Sequence, residues 1–552
     1  MGQVTGEQSA TQHFKAVQPS NPASDLHRIK APPLFNFASD VVDSWAKERP
    51  NAPALWCVHA QCGSEEIFTF RQMSERSSKA AGFLASCGIR PGDRVLLMLP
   101  RIPQWWIAML ALVRMGAVPV PATLLLTRRD VEFRIREARV VAVITSADGI
   151  SKLDGFEGRK FIAGSDAPGW LSFDAGAAAA KPLAGVKTAA DDPGIIYFTS
   201  ATTGEPKMVL HTQASYGLGH RLTGGLWLDL RPGDVHWNIS DLGWGKAAWS
   251  SLYGPWQMGA CVFAFDAAGK FDPTLTLQAL EEFPITSWCA PPTALRLIVR
   301  ENFSTRRFPA LRHCVTAGEP LNPEVFNLWK SATGLCLYEG YGQSETVIMI
   351  ANVRSMGLPL KPGSMGLPVP GMDVRLIDPE QNEVPAGTEG EIALRVRPDR
   401  PVGLFKEYLA SPEETRQAFA GDYYLTGDRA IRDEDGYFWF VGRKDDVIKS
   451  SGYRIGPFEV ESALIEHPAV LDVAVVGKPD PLRSQIVKAY VVLRPNTPAN
   501  DELKTDLQVH CKRLIAAYKY PREIEFVHEL PKTTSGKTRR VDLRRKDATM
   551  LA

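Results

Sequence analysis

The sequence predicts a mixed α/β fold, in which a large N-terminal domain of layered α/β subdomains with a β-barrel-like subdomain is followed by a small C-terminal α+β domain. Three observations predict it. The chain has 552 residues, more than a single hydrophobic core usually fills. In its first part, short apolar runs alternate with helix-like stretches, which is typical of α/β layers. From Gly363 onward, Gly/Pro turns and paired strands replace that alternation.

The apolar runs of the first part are expected to be strands of the α/β layers. They lie at residues 94–99, 140–145, 194–198, 260–265, 285–289 and 313–316. Residues 102–113 are also apolar but far fewer than the roughly 20 that a membrane helix needs. We therefore expect a buried helix there and no transmembrane segment. The Ala-rich stretch 175–180 is expected to be a surface loop.

The second part of the chain divides at a charged run. Asp435-Gly436 is typical of a hairpin turn before a strand at 437–441. Beyond the charged run we expect a compact βα segment, with strands at 471–476 and 486–493 and a helix at 501–515. The predicted division is an N-terminal domain at 1–443, a hinge at 444–446 and a small C-terminal domain at 447–552.

Composition excludes several classes of function. With 63 basic and 62 acidic residues, the formal net charge is +1, so no overall field favours nucleic acid or an anionic membrane. The eight cysteines show neither the CxxC pairs of zinc sites nor the density of a disulfide scaffold. Without an apolar signal core at the N-terminus, a cytoplasmic location is expected. The mitochondrial matrix is possible if the source is eukaryotic.

A loop rich in hydroxyl groups follows the expected strand at 194–198. Backbone and hydroxyl donors, a glycine and a terminal cation suit a cradle for the β- and γ-phosphates of a nucleotide. A Thr/Ser-rich surface turn would have a similar composition. The loop lacks the glycine spacing of the Walker type. Its residues are Thr199, Ser200, Ala201, Thr202, Thr203, Gly204, Glu205, Pro206 and Lys207.

A second segment combines small residues with polar ones. Tyr341 offers a face for stacking, Ser344 a hydroxyl, and Glu345 a carboxylate for a phosphate-bound Mg²⁺. A solvated turn residue is the other interpretation of Glu345. The residues of this segment before Glu345, whose small members would let the backbone meet a flat ligand, are Glu339, Gly340, Tyr341, Gly342, Gln343 and Ser344.

Two further candidates lie nearer the C-terminus. Asp428 follows Gly427 and suits ribose hydroxyls, with Arg443 available to assist, although an Asp after Gly is often only a turn residue. Lys537 stands on a Gly/Ser-rich loop within a basic run that would otherwise be a solvated tail.

Together these segments resemble a known superfamily. TSATTGEPK, YEGYGQSET, YLTGDRA, GRKDDVIKSSGYRIGPFEVE and PKTTSGKTRR occur in the order found in adenylate-forming enzymes, which include acyl-CoA synthetases, luciferases and peptide-synthetase adenylation domains. The resemblance covers residues 34–545. The stretches 239–256 and 451–457 are most similar to the medium-chain acyl-CoA synthetase branch.

The resemblance implies an ATP-dependent acid:CoA ligase that uses ATP, Mg²⁺ and coenzyme A. The phosphate loop with Lys207 would hold the leaving pyrophosphate, and residues 339–344 would contact the adenine and the α-phosphate. Glu345 would carry Mg²⁺. Asp428 and Arg443 would bind the ribose. Lys537 would bridge the substrate carboxylate and the α-phosphate, so Lys537, Glu345 and Lys207 are the expected catalytic residues.

The resemblance also implies that the small domain is mobile and rotates about Asp445 between two half-reactions. Its second face would then serve thioester formation. Solvated surface cations are the other interpretation of its basic residues. The CoA-binding residues implied are Ser451, Gly452, Tyr453, Arg454, Arg483, Lys512, Tyr520, Pro521 and Arg522.

Two departures from the family pattern concern the nucleotide site. Ala201 replaces a usual glycine, which puts ordinary ATP affinity in doubt if that residue needs a positive φ. Ser344 replaces the commoner threonine but keeps the hydroxyl.

The acyl pocket is the least defined part of the site. In acetate-specific relatives a tryptophan stands where Gly342 stands here, so an open channel and an acid longer than acetate are expected, whether medium-chain, branched or aryl. Leu125, Trp244 and Met349 are expected to line the channel, or else belong to the core.

Rival functions remain open at this stage. A stand-alone adenylation enzyme that loads a carrier protein is the main alternative. A luciferase-like oxygenase and a non-catalytic ATP-binding scaffold are the others. The remaining partners expected are a homo-oligomeric copy, and a lysine acetyltransferase or deacetylase acting on Lys537.

Overall fold

The computed structural model describes residues 29–199, 205–267, 269, 271–451, 453–533 and 536–549. In these ranges the strands form five sheets, with helices packed on them, so the mixed α/β fold predicted from the sequence is confirmed. Elements are numbered below in chain order.

The first sheet is parallel throughout and carries the first α/β layer. Its strands, in spatial order, are β4 (Val118–Pro121), β3 (Arg94–Met98), β5 (Ala142–Thr145), β6 (Arg159–Ile162) and β7 (Leu171–Ser172). β3, β4 and β5 are almost wholly buried, as expected for parallel strands covered on both faces.

The longest sheet within the described residues has a parallel centre and antiparallel edges. Its order is β16 (Leu367–Pro368), β15 (Ile350–Ala351), β14 (Leu337–Tyr341), β13 (His313–Ala317), β12 (Ser287–Cys289), β10 (Val235–Asn238), β11 (Cys261–Asp266), β1 (Pro53–His59) and β2 (Ser64–Thr69). The segment 337–341 thus enters the site as a strand.

Two antiparallel sheets complete the large domain. One is β19 (Glu407–Tyr408), β9 (Met208–Thr212) and β8 (Pro193–Phe198). The other, a half-barrel, is β17 (Val374–Ile377), β18 (Glu389–Arg395), β21 (Tyr423–Arg432) and β20 (Phe419–Ala420), with β22 (Phe438–Arg443) paired to β21.

The fifth sheet lies in the C-terminal part. It runs β24 (Tyr453–Ile455), β23 (Ile448–Ser450), β26 (Ser484–Leu493) and β25 (Val470–Asp480), with β27 (Glu523–Phe526) parallel to β26. Sheet membership therefore changes between Arg443 and Ile448. The domain boundary proposed from the sequence lies in this interval.

Many of the helices begin with a side-chain cap or with a proline in the first turn. Thr69 and Thr127, for example, form capping boxes with Gln72 and Asp130. The α-helices are α1 Asp43–Glu48, α2 Phe70–Ser86, α3 Pro103–Arg114, α4 Arg128–Ala138, α5 Phe173–Ala179, α6 Gln213–Gly217, α7 His220–Leu222, α8 Gly245–Ala248, α9 Gly254–Gln257, α10 Pro273–Glu282, α11 Pro292–Ile298, α12 Pro323–Thr333, α13 Pro412–Ala418, α14 Pro457–Ile465, α15 Asp501–Leu514 and α16 Arg540–Thr549.

Shorter helical turns join these elements. The π-type turns are Ala38–Val42, Thr223–Trp227 and Trp249–Tyr253, and the 3-10 turns are Ala147–Lys152 and Arg354–Met356. No helix in the described ranges combines the length and the apolar character that a membrane span needs.

The Ala-rich stretch corrects one expectation. Residues 175–179 belong to α5 instead of a surface loop, and the Ser172 side chain accepts a hydrogen bond from the Ala175 amide at the start of this helix. Alanine has the highest helix propensity, and a serine cap satisfies one of the free amides. Gly176 is needed because a Cβ there would lie 2.2 Å from the Phe83 ring.

A buried ion pair joins the first three helices. Arg114 of α3 donates to both carboxylate oxygens of Asp43, at 2.7 and 2.6 Å. Ser74 of α2 donates to the same carboxylate at 2.6 Å. The Arg114 side chain is 3 % exposed, so its charge depends on Asp43 for compensation.

Asp43→Ala should therefore lower the free energy of unfolding by about 3–5 kcal/mol, because it leaves a buried guanidinium unpaired. Urea denaturation measures the change. Glu132→Ala is the matched control, since Glu132 pairs with Arg128 on an exposed helix face and should cost about 0.5 kcal/mol or less. Equal effects of the two substitutions would contradict the assignment.

Candidate active site

The ends of the predicted phosphate loop are fixed by strand pairing. The Thr199 amide donates to the Lys207 carbonyl at 2.9 Å, continuing the β8–β9 ladder. The Lys207 ammonium lies 3.1 Å from a Glu414 carboxylate oxygen and 4.9 Å from the centre of the Tyr408 ring. Glu205 is exposed beside Pro206. The predicted members Ser200, Ala201, Thr202, Thr203 and Gly204 lie outside the described residues.

Glu345 is buried close to this loop. Its carboxylate accepts a hydrogen bond of 2.7 Å from the Tyr408 hydroxyl. Burial raises the pKa of Glu345, and the Tyr408 hydrogen bond partly offsets the rise because it favours the ionised form. Lys207, Tyr408 and Glu345 thus form one connected group, of which the sequence indicated the two charged members.

The donor set at Glu345 fits a nucleotide-borne Mg²⁺. Within the described residues, no three His, Cys, Asp or Glu side chains gather into a ligand set of their own. Mg²⁺ commonly keeps several waters and binds one or two carboxylates together with substrate phosphates. A single buried carboxylate beside a phosphate-loop lysine matches that mode of binding.

Asp428 is the centre of a polar network between two sheets. Its Oδ2 accepts hydrogen bonds from the Tyr341 hydroxyl and from the Gln343 side-chain amide, both at 2.7 Å. Arg443, its cross-strand partner, lies 3.3 Å from Oδ1. Oδ1 itself is buried without a hydrogen-bond partner in the described part of the chain. This oxygen is therefore available to accept from a ligand hydroxyl.

Electrostatics at Asp428 involve both domains. Burial raises the pKa of this carboxyl, while Arg443 and, more weakly, Lys537 act to lower it. Tyr424 donates to the Gln343 side-chain oxygen at 2.7 Å, which orients the Gln343 amide toward Asp428. The structure thus brings together residues from four of the predicted segments.

Glu339 and Gly340 both make close contacts with other parts of the chain. The Glu339 carboxyl turns inward and accepts from the Leu321 amide at 2.9 Å, and burial raises its pKa to about 8. A Cβ at Gly340 would lie 2.5 Å from the Trp227 ring. The Glu339 carboxyl therefore does not fit the nucleotide contact predicted for it, because it bonds the neighbouring loop.

Two buried aromatic residues that the sequence did not indicate hold the Ser344 backbone. Its carbonyl accepts from His211 Nε2 at 2.7 Å and from the Tyr216 hydroxyl at 2.8 Å. Burial lowers the pKa of His211 to about 3, so its ring is neutral. A histidine inside the apolar strand β9 was the only available signal in the sequence.

Lys246 is a further residue that the sequence did not single out. Its ammonium donates to the Ala317 carbonyl at 2.6 Å, and a Cβ at Gly318 would lie 3.0 Å from it. Burial is the main cause that lowers the pKa of Lys246, and the charge of Lys537 adds to it. A single lysine within the aromatic segment 244–249 was its signal.

Lys537 lies on a tight turn with its side chain exposed. The Thr533 amide donates to the Lys537 carbonyl at 2.7 Å, and the Lys537 amide donates to the Thr533 hydroxyl at 3.1 Å. Its charge acts on Asp428 and Lys246, so the loop of Lys537 lies within electrostatic range of these two residues.

The residues predicted for the acyl pocket do not form one lining. Trp244 is half-buried and precedes α8. Leu125 is 62 % exposed, which does not fit an enclosed pocket, and Met349 is fully buried in the core. At Gly342 a Cβ would lie 2.7 Å from the Val347 carbonyl oxygen. The Val347 carbonyl therefore lies beside the place where a side chain at position 342 would begin.

The residues predicted for CoA form two groups on the small domain. In the first, Arg483 donates to the Ser451 hydroxyl at 3.1 Å, and the Tyr453 ring stacks on Tyr518 at 4.2 Å. Arg454 lies 3.9 Å from Glu389 of the half-barrel. Gly452 lies outside the described residues.

In the second group, two cations cover one aromatic ring. Lys512 and Arg522 lie 4.0 and 5.1 Å from the Tyr520 ring centre, beside Pro521. The predicted hinge residue Asp445 stands exposed in the turn between β22 and β23.

Buried carboxylates, a phosphate-loop lysine and a second lysine on a separate domain define a two-domain enzyme that activates its substrate with a nucleotide. The chain belongs to the AMP-binding enzyme family, within the adenylate-forming superfamily. The model of that family matches residues 42–409, and the model of the AMP-binding enzyme C-terminal domain matches residues 459–537.

Relatives in mammals are similar over nearly the whole chain. The acyl-coenzyme A synthetase ACSM3, mitochondrial, of Mus musculus is 46 % identical over 536 residues, which is 94 % of this chain and 92 % of the relative. The acyl-coenzyme A synthetase ACSM5, mitochondrial, of Homo sapiens is 47 % identical over 538 residues, 95 % of this chain and 92 % of the relative.

Solved structures are similar as well. The anthranilate CoA ligase AuaEII in complex with anthranoyl-AMP has a TM-score of 0.86 at 31 % identity, over 96 % of this chain and 99 % of the other. A benzoate CoA ligase from Burkholderia xenovorans LB400 has a TM-score of 0.81 at 27 % identity, over 93 % of this chain and 100 % of the other.

Tyr408→Phe tests the environment of Glu345. Loss of the Tyr408 hydrogen bond, which favours the ionised form, should raise the Glu345 pKa further. Because the ionised carboxylate is the form that would hold Mg²⁺, the acid limb of ATP–pyrophosphate exchange should move to higher pH.

The control for this prediction is Tyr437→Phe, whose hydroxyl donates to the Pro359 carbonyl at 2.6 Å, remote from Glu345 in the fold. Its pH profile should match that of the unsubstituted protein. An acid limb that stays in place in Tyr408→Phe would contradict the role given to this hydroxyl.

Proposed function

We propose that this protein is an AMP-forming acyl-CoA synthetase. It converts a carboxylic acid and ATP into acyl-AMP and pyrophosphate, and then converts acyl-AMP and coenzyme A into acyl-CoA and AMP. The observation that carries the proposal is the Asp428 network. Tyr341, Gln343 and Arg443 surround the Asp428 carboxylate, and the charge of Lys537 acts to lower its pKa.

ATP would bind across the two sheets that meet at Asp428. Asp428 Oδ1, which has no hydrogen-bond partner among the described residues, would accept from a ribose hydroxyl, with Arg443 beside it. Tyr341 and Gly342 would lie along the adenine. The loop from Thr199 to Lys207 would surround the β- and γ-phosphates, with Lys207 leaving Glu414 to pair with them. Mg²⁺, held by Glu345 and the phosphates, would neutralise phosphate charge.

Adenylation depends on the positions of the reacting groups and on stabilisation of the developing charge, more than on proton transfer. The substrate carboxylate is already ionised near neutral pH, so it attacks the α-phosphorus directly; a carboxylate oxygen–phosphorus bond forms and the bond to pyrophosphate breaks. Lys537 would stabilise the charge that develops between carboxylate and α-phosphate. Lys246 would add a second cation on the same side.

Thioester formation would follow rotation of the small domain, residues 447–552, about Asp445 within the 444–446 hinge. The CoA thiol would give up its proton to solvent as its sulfur attacks the acyl carbon. The bond between that carbon and the phosphate oxygen would break, and AMP would leave. The two groups on the small domain support this step, since Arg483, Lys512 and Arg522 offer cations to CoA phosphates and Tyr453 and Tyr520 offer apolar faces.

The acid is proposed to be medium-chain, branched or aryl. Similarity to synthetases of the ACSM group and to anthranilate and benzoate CoA ligases supports this range. Gly342 contributes less to the proposal than its sequence position suggested, because the backbone of Val347 fills the space beside it.

A panel of acids tests the function. Acetate, octanoate, 2-methylbutyrate, benzoate and anthranilate are incubated with ATP and Mg²⁺, with and without CoA, and pyrophosphate, AMP and acyl-CoA are measured. We expect acyl-CoA from at least one acid longer than acetate, and more AMP when CoA is present. Pyrophosphate release without CoA-dependent product would favour the carrier-loading alternative. An absence of turnover with every acid would refute the proposal.

Lys537→Ala should slow adenylation by about 10²-fold or more, by analogy with the loss of one preorganised donor. Thioester formation from chemically prepared acyl-AMP should change much less. Lys532→Ala is the matched control, because Lys532 lies on the same loop but pairs with Asp472 at 2.9 Å. Equal loss in both half-reactions would show that Lys537 does not act on adenylation alone.

A further inference from the structure

Arg300 of the large domain makes a hydrogen bond to the small domain. It stands in the turn after α11, where its amide donates to the Leu297 carbonyl at 3.2 Å. Its guanidinium Nη2 donates to the Leu471 carbonyl of β25 at 2.5 Å. Donor and acceptor lie on opposite sides of the predicted hinge, so this bond joins the two domains.

An irregularity of the small-domain sheet places the acceptor. β25 is the last strand in the order of that sheet, and its pairing with β26 changes register between Val470 and Asp472. Leu471 is therefore the extra residue of a bulge, which interrupts the ladder and bends the strand. A main-chain carbonyl at a bulged edge can accept from a donor outside the sheet, and Arg300 supplies one.

Both ends of the bond belong to firmly packed elements. On the large domain, Leu295 and Ile298 of α11 are fully buried. On the small domain, β25 pairs with β26 along nearly its whole length, from Val470 to Asp480. The bond therefore acts between two packed bodies and fixes the position of one on the other.

A second, longer contact lies along the same boundary. Asn322, at the start of α12, donates from its side-chain amide to the Ser462 carbonyl of α14 at 3.5 Å. In both contacts a side chain of the large domain donates to a main-chain carbonyl of the small domain. The end of α11 and the start of α12 therefore face the small domain together.

The charge of Arg300 is partly withdrawn from water at this boundary. Burial lowers the pKa of Arg300, and Arg494 of the small domain lowers it further, while Asp472 partly offsets both. A buried cation is costly unless acceptors meet its donors. Here the acceptor belongs to the other domain, so the bond compensates the burial only while the two domains keep this orientation.

A rotation of the small domain about the predicted hinge would carry the acceptor carbonyl away from Arg300. In the present orientation the charge of Lys537 acts on Asp428 and Lys246. Tyr453, on the face implied for thioester formation, is 51 % exposed. The bond thus exists in an orientation that matches adenylation. An interaction made in only one of two orientations shifts the equilibrium toward that orientation.

We propose that Arg300 is a positioning residue that holds the small domain in the adenylation orientation, by donating a hydrogen bond from the large domain to the Leu471 carbonyl at the bulge of β25. This inference rests on the proposed function, since it assumes two half-reactions served by two orientations. It assigns to Arg300 no contact with the substrate.

The test measures the two half-reactions separately in Arg300→Met. Adenylation is followed as single-turnover pyrophosphate release from ATP and the preferred acid, and thioester formation as acyl-CoA produced from prepared acyl-AMP and CoA. Adenylation should fall by about 10-fold, the order of one hydrogen bond from a charged donor. Thioester formation should keep its rate or become faster, because that orientation does not use the bond.

Arg307→Met is the matched control. Arg307 also donates to main-chain carbonyls, but to those of Ser304 and Arg306 in its own loop, at 3.2 and 2.9 Å. This variant should leave both half-reactions unchanged. Arg300→Lys should retain most of the adenylation rate, because an ammonium can also donate to a single carbonyl.

Amide hydrogen exchange without substrates tests the bond independently of turnover. In Arg300→Met, exchange should be faster than in the unsubstituted protein at residues 296–301 and 462–473, because the boundary between the domains opens more often. Arg307→Met should match the unsubstituted protein in both segments.

A purely structural role would give a different result. Arg300→Met would then lower the melting temperature and reduce both half-reactions equally. Unchanged adenylation, or a selective loss of thioester formation, would also overturn the inference. If the unsubstituted protein forms no acyl-AMP from any acid, the proposed function fails instead, and hydrogen exchange still reports whether Arg300 holds the two domains together.

Discussion

The carboxylate of Asp428 is the constraint on which the rest of the site depends. It lies where strand β14 of the longest described sheet meets strands β21 and β22 of the half-barrel. It accepts hydrogen bonds from the Tyr341 hydroxyl and the Gln343 side-chain amide, and it pairs with the Arg443 guanidinium. A buried carboxylate is costly unless donors surround it. The two sheets must therefore approach in a fixed relation, which also sets where Glu345 and Tyr408 stand.

Much of the fold was readable from the sequence, because strand signals are local. The runs at 94–99, 194–198 and 313–316 became β3, β8 and β13 with small changes at their ends. The prediction of a loop for the Ala-rich stretch was wrong. Its composition gave no alternation of polar and apolar residues to indicate a helix, whereas the serine cap and the high helix propensity of alanine favour one.

The charged residues of the site could be predicted from the sequence, but the groups that orient them could not. Asp428, Glu345 and Lys207 stand in segments with recognisable composition, whereas Tyr408, His211 and Lys246 act through partners 63 or more residues away in sequence. Such partners are set by tertiary packing. The same limit explains Glu339 and Gly342, where an inward carboxyl and a neighbouring backbone carbonyl decide what a motif alone leaves open.

The pairing of Lys207 with Glu414 has a consequence for how the enzyme turns over. Both side chains are more than a third exposed, so separating them costs at most about 1 kcal/mol. A triphosphate that binds at this loop could therefore pair with Lys207 at a small cost in free energy. In the proposed reaction, the glutamate would receive the ammonium again when pyrophosphate departs, so the product would leave behind a neutral pair instead of a bare cation. Glu414 would thus act as a resident counterion of Lys207.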